Sequence, residues 1–592
     1  MNRAIYSICT ALMILSIITS CSSHTPGDAE LLDEIDPLRS FYIDSVAGND
    51  AADGSVETPW RTIDRVNEES LLPGDTVFFH RGQTFSGGLR LEESGESGNL
   101  ITFDAYGTGT SPRLNGSVTV TDWTDCGGGI FSTEMQYVPG ITGAGIVLAD
   151  GLPLSFRVWD SDFLTSLGAE TGVFTFEPTL EKSTIYIRLN SSASPATSQI
   201  AAGYYLIGVY GNGVSFIQLK NLIFSEYSCH GLSIKNSADI SVSDCRAENI
   251  GGALLSINPV LYGGNGFEFT LDSARCSISD SIAESIFDSG FSPQVFESET
   301  ATSDIRFDGC TALSCGFVGI EISVLNYNGS TDETLTDIIV SDCTIKDSGK
   351  GWSGIRYGTE GHGIRVKTDT GTGSISGVRI ERTVIERCAG SGIFVAGNTG
   401  TVQIHRTKLD GNSGTGITCI NMASDPAPAL ELSSSIISNH ATGQGIYYST
   451  VNGSGFKIKH TTFAHNALAL YINSAGSGST LENCIFYSQS SAYLYAAAVP
   501  DNASFDYNCY FENGGAIIGI GSVAWGNVHA FASDENLDEH SIGSNPEFVN
   551  TENDWHLKSI SGCKNTGVPT SISEDFEGTS FDSGFPSRGA YE

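Results

Sequence analysis

An all-β, right-handed parallel β-helix is the fold class this sequence predicts, and three observations predict it. Glycine-led apolar segments return at a near-regular interval, helix formers and charges are scarce, and cysteines recur at one place within successive segments. The markers Gly231, Gly266, Gly290, Gly319, Gly363, Gly392, Gly416 and Gly445 are 35, 24, 29, 44, 29, 24 and 29 residues apart. The shortest of these steps, 24 residues, suits a coil of three short strands and three turns, with longer steps looped out at a turn. Within a segment the pattern alternates, as in Gly392-Ile-Phe-Val-Ala396 followed by Val402-Gln-Ile-His405, which reads as half-buried strand. A sandwich or propeller would need hairpins every ~8–12 residues or a longer constant period.

Composition narrows the function classes. Of 592 residues, 69 are Gly and 4 are Met, and only 17% are charged, which excludes helical bundles, coiled coils and charge-rich disorder. Subtracting 68 acidic from 30 basic residues leaves −38, so a long nucleic-acid-binding surface is not expected. An anionic partner would have to meet a local basic patch or a bridging cation.

The elements follow in chain order. Residues 1–20 carry Arg3 and the apolar run Ala11-Leu-Met-Ile-Leu-Ser-Ile-Ile18, too short to span a bilayer and shaped like a secretory signal. The run ends Ile18-Thr-Ser-Cys21, which resembles a bacterial lipoprotein signal. Lipidation is therefore expected at Cys21, with 21–40 as a tether and an envelope location, in the outer membrane, anchored by the lipid alone. Residues 41–116 read as a capping helix around Thr58–Asn67 and the first coils. From 117 to 203 the period lapses into hairpin-like alternation, an inserted β subdomain. Coils resume over 204–530, and 531–592 reads as a C-terminal cap.

Removing Cys9 and Cys21 from the 14 cysteines leaves 12. Cys245, Cys310, Cys343 and Cys484 occupy matching positions in SDCRAEN, DGCTALS, SDCTIKD and ENCIFYS, so a solenoid would stack them inside as small buried hydrophobes. Reduced structural thiols are expected, with a bridge between Cys310 and Cys343 left open and no C-x-x-C metal pairing present.

Phe41-Tyr-Ile-Asp-Ser-Val-Ala-Gly-Asn-Asp50, Asp53-Gly54, Pro59-Trp60, Pro73-Gly-Asp-Thr76 and Arg81-Gly82 resemble the opening of secreted β-helix proteins of the pectin-lyase-like superfamily. Asn545-Pro-Glu-Phe-Val549 and Gly589-Ala-Tyr591 resemble the closing segment of such chains. The resemblance implies a carbohydrate-active protein. It does not choose among lyases, hydrolases, epimerases and noncatalytic binders, and the Asp-Asp calcium motif and Asp-Pro-His motif of two of its families are missing.

The choice therefore falls to the residues. Stacked strands lie about 4.8 Å apart and alternate residues point outward, so the markers convert sequence into a surface map. Two residues after each marker come Glu268, Ser292, Glu321, Arg365 and Phe394, and four after come Gln294, Ser323 and Lys367. Asp288, His362 and His230 stand at the turn edge of the same face. Glu268, Asp288, Glu321, Lys367 and His362 are the candidate catalytic groups. Gln294 and Arg365, with Tyr262, Tyr327, Trp352 and Tyr357 on two long turns, are the candidate contacts to a polysaccharide or oligosaccharide.

Three functions stay open. A glycoside hydrolase, slightly preferred, needs an acid and a second carboxylate, and requires no cofactor. A β-eliminating lyase acting on a uronate polymer needs a base and a cation, with Ca²⁺ held by the acidic trio as one source. A noncatalytic glycan-binding solenoid needs neither. The chain is expected to be a monomer.

Overall fold

Each marker glycine sits where a side chain would strike the next coil. A Cβ on Gly231 would lie 2.6 Å from the Gly266 carbonyl oxygen, one on Gly266 2.6 Å from that of Gly290, one on Gly363 2.6 Å from that of Gly392, and one on Gly416 2.4 Å from that of Gly445. The same carbonyls accept inter-coil hydrogen bonds from the residues after the preceding markers, Leu232 to Gly266 at 3.0 Å and Ile364 to Gly392 at 2.9 Å. Close approach is thus what demands glycine at the head of each coil. The column ends at Ala469, whose carbonyl faces Gly445.

The computed structural model describes residues 38–136, 143–158, 170–178, 182–190, 193–257, 260–296, 300–325, 332–352, 360–369, 373–422, 426–450, 455–511 and 517–592; Cys21, Tyr327 and Tyr357 lie outside them. All elements below belong to Arg39–Glu592, one of two units into which the chain divides, Met1–Leu38 being the other. Three long sheets run the length of this unit, built mainly by parallel pairing of one strand per coil, with an antiparallel strand Val523–Trp525 closing one of them. The glycine-led strands form the first sheet, of 14 strands; the second has 15 and the third 13.

Between the second and third sheets the chain turns through a left-handed residue, among them Asn221, Asp244, Asp280, Asp342 and Asn483 at φ 58°, 52°, 47°, 53° and 55°. Asn and Asp tolerate that conformation better than other side-chain-bearing residues. The next residue points inward, and this places Cys245, Ser281, Cys310, Cys343 and Cys484 in one interior file of buried groups. Where the file holds a hydroxyl it is bonded: Ser281 Oγ donates to Ser279 O at 2.7 Å and accepts from the Cys245 N–H at 3.1 Å. All twelve cysteines among the described residues are free thiols, and burial raises that of Cys245 to about 12.

At the N-terminal end the helix is shorter than the apolar spacing suggests, covering Ile63–Asn67. Thr62 caps it by accepting from the Arg65 N–H, and the Asp50 carboxylate takes the amides of Arg61 and Thr62, so Trp60 belongs to a bridge with Ile43 instead. Residues 117–203 are spliced in without breaking the stack. Leu89–Leu91, Ile101–Tyr106 and Arg113–Asn115 pair directly with Ile207–Asn212, Ser215–Lys220 and Ile223–Ser225. The insert's own four- and five-stranded sheets bury Phe156, Phe174, Phe176 and Ile185 in a second core.

The C-terminal segment departs from the expected cap. The helix Val528–Glu535 gives Val528 and Phe531 to the solenoid interior, but the residues beyond it run back along the flank of the third sheet. There Phe548, Trp555, Leu557, Ala590 and Tyr591 cover Ile436, Ala464, Ile485 and Tyr487. The reason is the outward face of those three coils, which is apolar and needs cover.

Gly416→Ala should lower the urea unfolding midpoint by the equivalent of about 1–3 kcal/mol or more, because its Cβ meets backbone. Gly526→Ala, with nothing within 4 Å, should leave it unchanged, and equal effects would refute close approach as the cause. Burial raises the Asp538 carboxyl to about 6 despite hydrogen bonds from Ser541, Asn508 and Tyr510. An unfolded Asp loses its proton near pH ~4, so between about pH 4 and 6 the folded chain holds a proton that the unfolded chain lacks, and stability falls as pH rises. Asp538→Asn should flatten that part of the stability profile, read as the difference between the two proteins' unfolding midpoints.

Candidate functional site

The outward row of the first sheet has the register the markers imply. Ser233 stands beside Glu268 and Glu268 beside Ser292; beyond the next coil Glu321 stands beside Arg365, and Arg365 beside Phe394. The parallel row brings Gln294 beside Ser323 and Ser323 beside Lys367. The long 44-residue step hides no coil, since Ile320–Val324 pairs directly with Ile364–Thr368. Glu268, Gln294, Glu321, Arg365 and Lys367 therefore share one face.

That face is covered where the charges are. Glu268, Glu321, Arg365, His362 and Gln294 are only 5, 4, 6, 6 and 8% exposed, which corrects the expectation of charges lying open on a groove. Neighbouring side chains crowd them, with Phe317 lying 5.3 Å from the Arg365 guanidinium. A buried charge needs partners, and each has them. Arg365 donates to Glu321 Oε1 at 2.7 Å, while Ser289 and Gln294 donate to Oε2 at 2.7 and 2.9 Å. Glu268 accepts from Ser233 at 2.7 Å and from the Asn265 amide at 3.3 Å. Asn265 Oδ1 in turn accepts from the Ser289 N–H, so the two glutamates belong to one network. At its far end Glu360 Oε2 lies 3.6 Å from Arg365 Nε and 3.2 Å from His362 Nε2.

The histidines are oriented by backbone. His230 Nδ1 accepts from the Asn265 N–H at 3.2 Å and His362 Nδ1 from the Ser391 N–H at 2.9 Å. In each neutral ring the proton must then sit on Nε2. Those nitrogens face carboxylates, His230 Nε2 lying 3.9 Å from Glu268. Burial alone would raise the Glu268 pKa, but His230, Lys235 and the hydrogen bonds from Ser233 and Asn265 outweigh it and hold the carboxyl below the usual glutamate range. Glu360 is likewise held low, against burial, by His362, Arg365 and Lys367. Burial pulls His230 below the usual histidine range, with Glu268 opposing.

The other expected residues lie as follows. Asp288 is half-buried on the turn edge, its amide donating to Gly264 O at 3.1 Å. Lys367 is half-buried with Asp369 3.4 Å away. Among the described residues no three His, Cys, Asp or Glu side chains gather to hold a metal ion, so Glu268, Asp288 and Glu321 do not converge as a cation-holding trio. Tyr262 and Trp352 do not face an open groove. Tyr262 packs on Phe156 at 5.2 Å and Trp352 on Phe287 at 5.6 Å, its indole N–H donating to Ser285 O, because the insert supplies an apolar surface that these turns bury. Sequence reasoning missed Asn265, Ser289 and Glu360. Glu360-Gly-His362 at the close of a long turn was a readable signal for the last; the other two act through backbone geometry that spacing does not display.

Two open grooves lie instead on the second sheet, one lined by Asp304, Arg306, Asp337, Arg379 and Gln403, the other by Arg379, Glu381, His405, Glu431 and Lys457. Their charges are paired in solvent, Arg306 with Asp304 at 3.0 Å and Lys457 with Glu431 at 2.8 Å, an arrangement that solvates a surface and has little strength to spare.

No family model matches the chain, and no curated protein matches it. Solved structures similar to it include a complex of XylC with xylose, at 10% identity over 93% of this chain and 98% of that one, with a TM-score of 0.46. A rhamnogalacturonan lyase is 12% identical over 70% and 82% with a TM-score of 0.41, and the pectate lyase Pel9A is 13% identical over 94% and 97% with a TM-score of 0.38. The strand pairing itself makes the architecture a parallel β-helix. Its one-strand-per-coil sheets and left-handed turns place the charged network on the glycine-led sheet.

Arg365 is the keystone of this network. Arg365→Met should cost about 3–5 kcal/mol of stability by leaving the Glu321 charge buried without its cation, and adding Glu321→Gln should restore most of it. A single variant as stable as the parent in denaturant titration would show that the pair is not closed from water.

Proposed function

We propose that this chain is a polysaccharide-degrading enzyme, and specifically a glycoside hydrolase working on the first-sheet face. The observation that carries the reading is Glu268, a carboxylate kept ionised in a nearly water-excluded row by His230, Ser233 and Asn265. Hydrolysis of a glycoside requires one ionised carboxylate, as base or nucleophile, and a second carboxyl that protonates the leaving oxygen. Glu268 fits the first role. Asp288, half-buried one coil further on, fits the second. Glu321 is saturated by Arg365, Ser289, Gln294 and Ser323, which suits it to hold the row in place. His362 and Lys367 border the same face and would orient the sugar.

Elimination from a uronate polymer is the second reading, and Lys367 favours it. Its side chain is 19% exposed, two residues beyond Arg365 on the same strand and with the Asp369 carboxylate 3.4 Å from its ammonium, and it would meet a substrate carboxylate from there. We further propose that lipid at Cys21 anchors the enzyme in the outer membrane, where a polymer too large to enter the cell would be met.

Hydrolysis predicts that Glu268→Gln and Asp288→Asn each lower kcat by about a hundred- to ten-thousand-fold, the usual worth of acid-base help, while Lys367→Ala mainly raises KM. Assays of the purified protein on plant, algal and microbial polysaccharides should find new reducing ends and no ultraviolet-absorbing product. Unsaturated products that vanish in Lys367→Ala and persist in Glu268→Gln would replace the hydrolase with a lyase. Glycan binding with no product from any polymer would establish a noncatalytic solenoid.

A further inference from the structure

The same outward row changes character on the C-terminal side of the charged network. Beyond Arg365 the rungs are Phe394, Thr418, Tyr447, Tyr471 and Tyr495. The accompanying row beyond Lys367 holds Ala396, Ile420, Ser449 and Ser474. No rung here carries a charge, in a chain whose net charge is −38. Unlike Glu268 and Glu321, the five aromatic and threonine rungs are partly exposed.

The rings are ordered. Tyr447 stacks on Tyr471 with centroids 5.4 Å apart and planes 12° from parallel, and Tyr471 on Tyr495 at 5.2 Å and 21°. Phe394 stacks on His362 at 4.6 Å and 10°, which joins the ribbon to the charged network. Where one tyrosine ring covers the next, the ribbon offers solvent ring edges and phenol oxygens, the Tyr495 hydroxyl also donating to Gly521 O at 3.2 Å. A rung is close to the length of one sugar ring, and tyrosine pairs an apolar body with a polar tip at low entropic cost.

We propose that Tyr447, Tyr471 and Tyr495 form a binding platform for the uncharged stretch of a linear polysaccharide, which lies along the solenoid axis and enters the charged network past Phe394. The proposal rests on the carbohydrate reading above and deepens it, by naming an electrically neutral glycan long enough to reach across several coils. A polyuronate would bring one carboxylate per sugar onto rungs that offer it no cation. A neutral chain brings hydroxyls and C–H edges, which these rungs match.

The test is affinity electrophoresis of the full-length Glu268→Gln protein in gels carrying xylan, galactomannan, a soluble β-glucan or polygalacturonate, with product assays run in parallel on the Glu268-containing parent. At least one neutral polymer should retard the protein more than polygalacturonate does. Adding Tyr447→Ala and Tyr471→Ala should weaken that retardation at least tenfold. Tyr447→Phe with Tyr471→Phe, which keeps the stack and so guards against a folding defect, should weaken it about threefold. Undiminished retardation in both double variants would overturn the platform, leaving a ladder that only stiffens the sheet. Stronger retardation by polygalacturonate, or none by any neutral polymer, would overturn it too. Neutral-polymer retardation lost in the tyrosine variants, with no product from the parent, would sink the catalytic reading and keep the platform. Product formation by a parent whose polymer affinity ignores the tyrosines would do the reverse.

Discussion

The approach of one coil to the next at the glycine column is the constraint on which the rest of this molecule depends. A carbonyl oxygen sits where the preceding glycine's Cβ would be, 2.4 Å away at Gly416 and 2.6 Å at Gly231, Gly266 and Gly363. That contact leaves one residue type and one register for the head of each first-sheet strand from Gly231 to Gly445. A slip by one residue would turn Phe267 outward and Glu268 into the core. The column therefore decides which side chains meet on the outer face, and the chemistry available there follows.

What meets there is a paired set of charges. Glu321 with Arg365, and Glu268 with His230, would each be ruinous alone in a row this closed to water, and each is supported by serine and amide donors from adjacent coils. The insert strengthens the enclosure at the turn edge. Residues 144–146 lie against the turns that lead into the first sheet, Gly252 N–H donating to Gly145 O at 2.9 Å and Ser228 Oγ to Ala144 O at 3.1 Å. Low effective dielectric makes every interaction in such a row stronger, which serves rigidity and, on the hydrolase reading proposed above, acid-base work. The same row becomes open and uncharged from Phe394 onward, so one sheet presents two surfaces of different chemistry in sequence along its axis.

Much of this was legible in the sequence because the period is enforced by sterics. The glycine spacing located the strands, the matching positions of Cys245, Cys310, Cys343 and Cys484 in successive segments located the cysteine file, and the outward positions of Glu268, Gln294, Glu321, Arg365 and Lys367 followed from counting. What spacing could not show was cover. Exposure depends on how side chains fold over a row, so buried Glu321 and Arg365 read as outward groups open to a sugar. Tyr262 and Trp352 read as solvent-facing rings because their partners, Phe156 and Phe287, come from distant segments. The C-terminal segment read as an end cap for the same reason. Its apolar residues match the outer face of the third sheet, a complementarity visible only after both are folded.

The central claim is that carbohydrate chemistry belongs to the glycine-led sheet, and a crystal structure tests it most directly. Glu268→Gln protein should be crystallised with an oligosaccharide cut from whichever polymer it binds. The account predicts sugar rings over the first sheet, with a glycosidic oxygen within hydrogen-bond reach of Asp288 and the chain continuing across Phe394 toward Tyr447. A glycan seated in the second-sheet grooves beside Arg379 and Gln403, with the first-sheet row untouched, would contradict it.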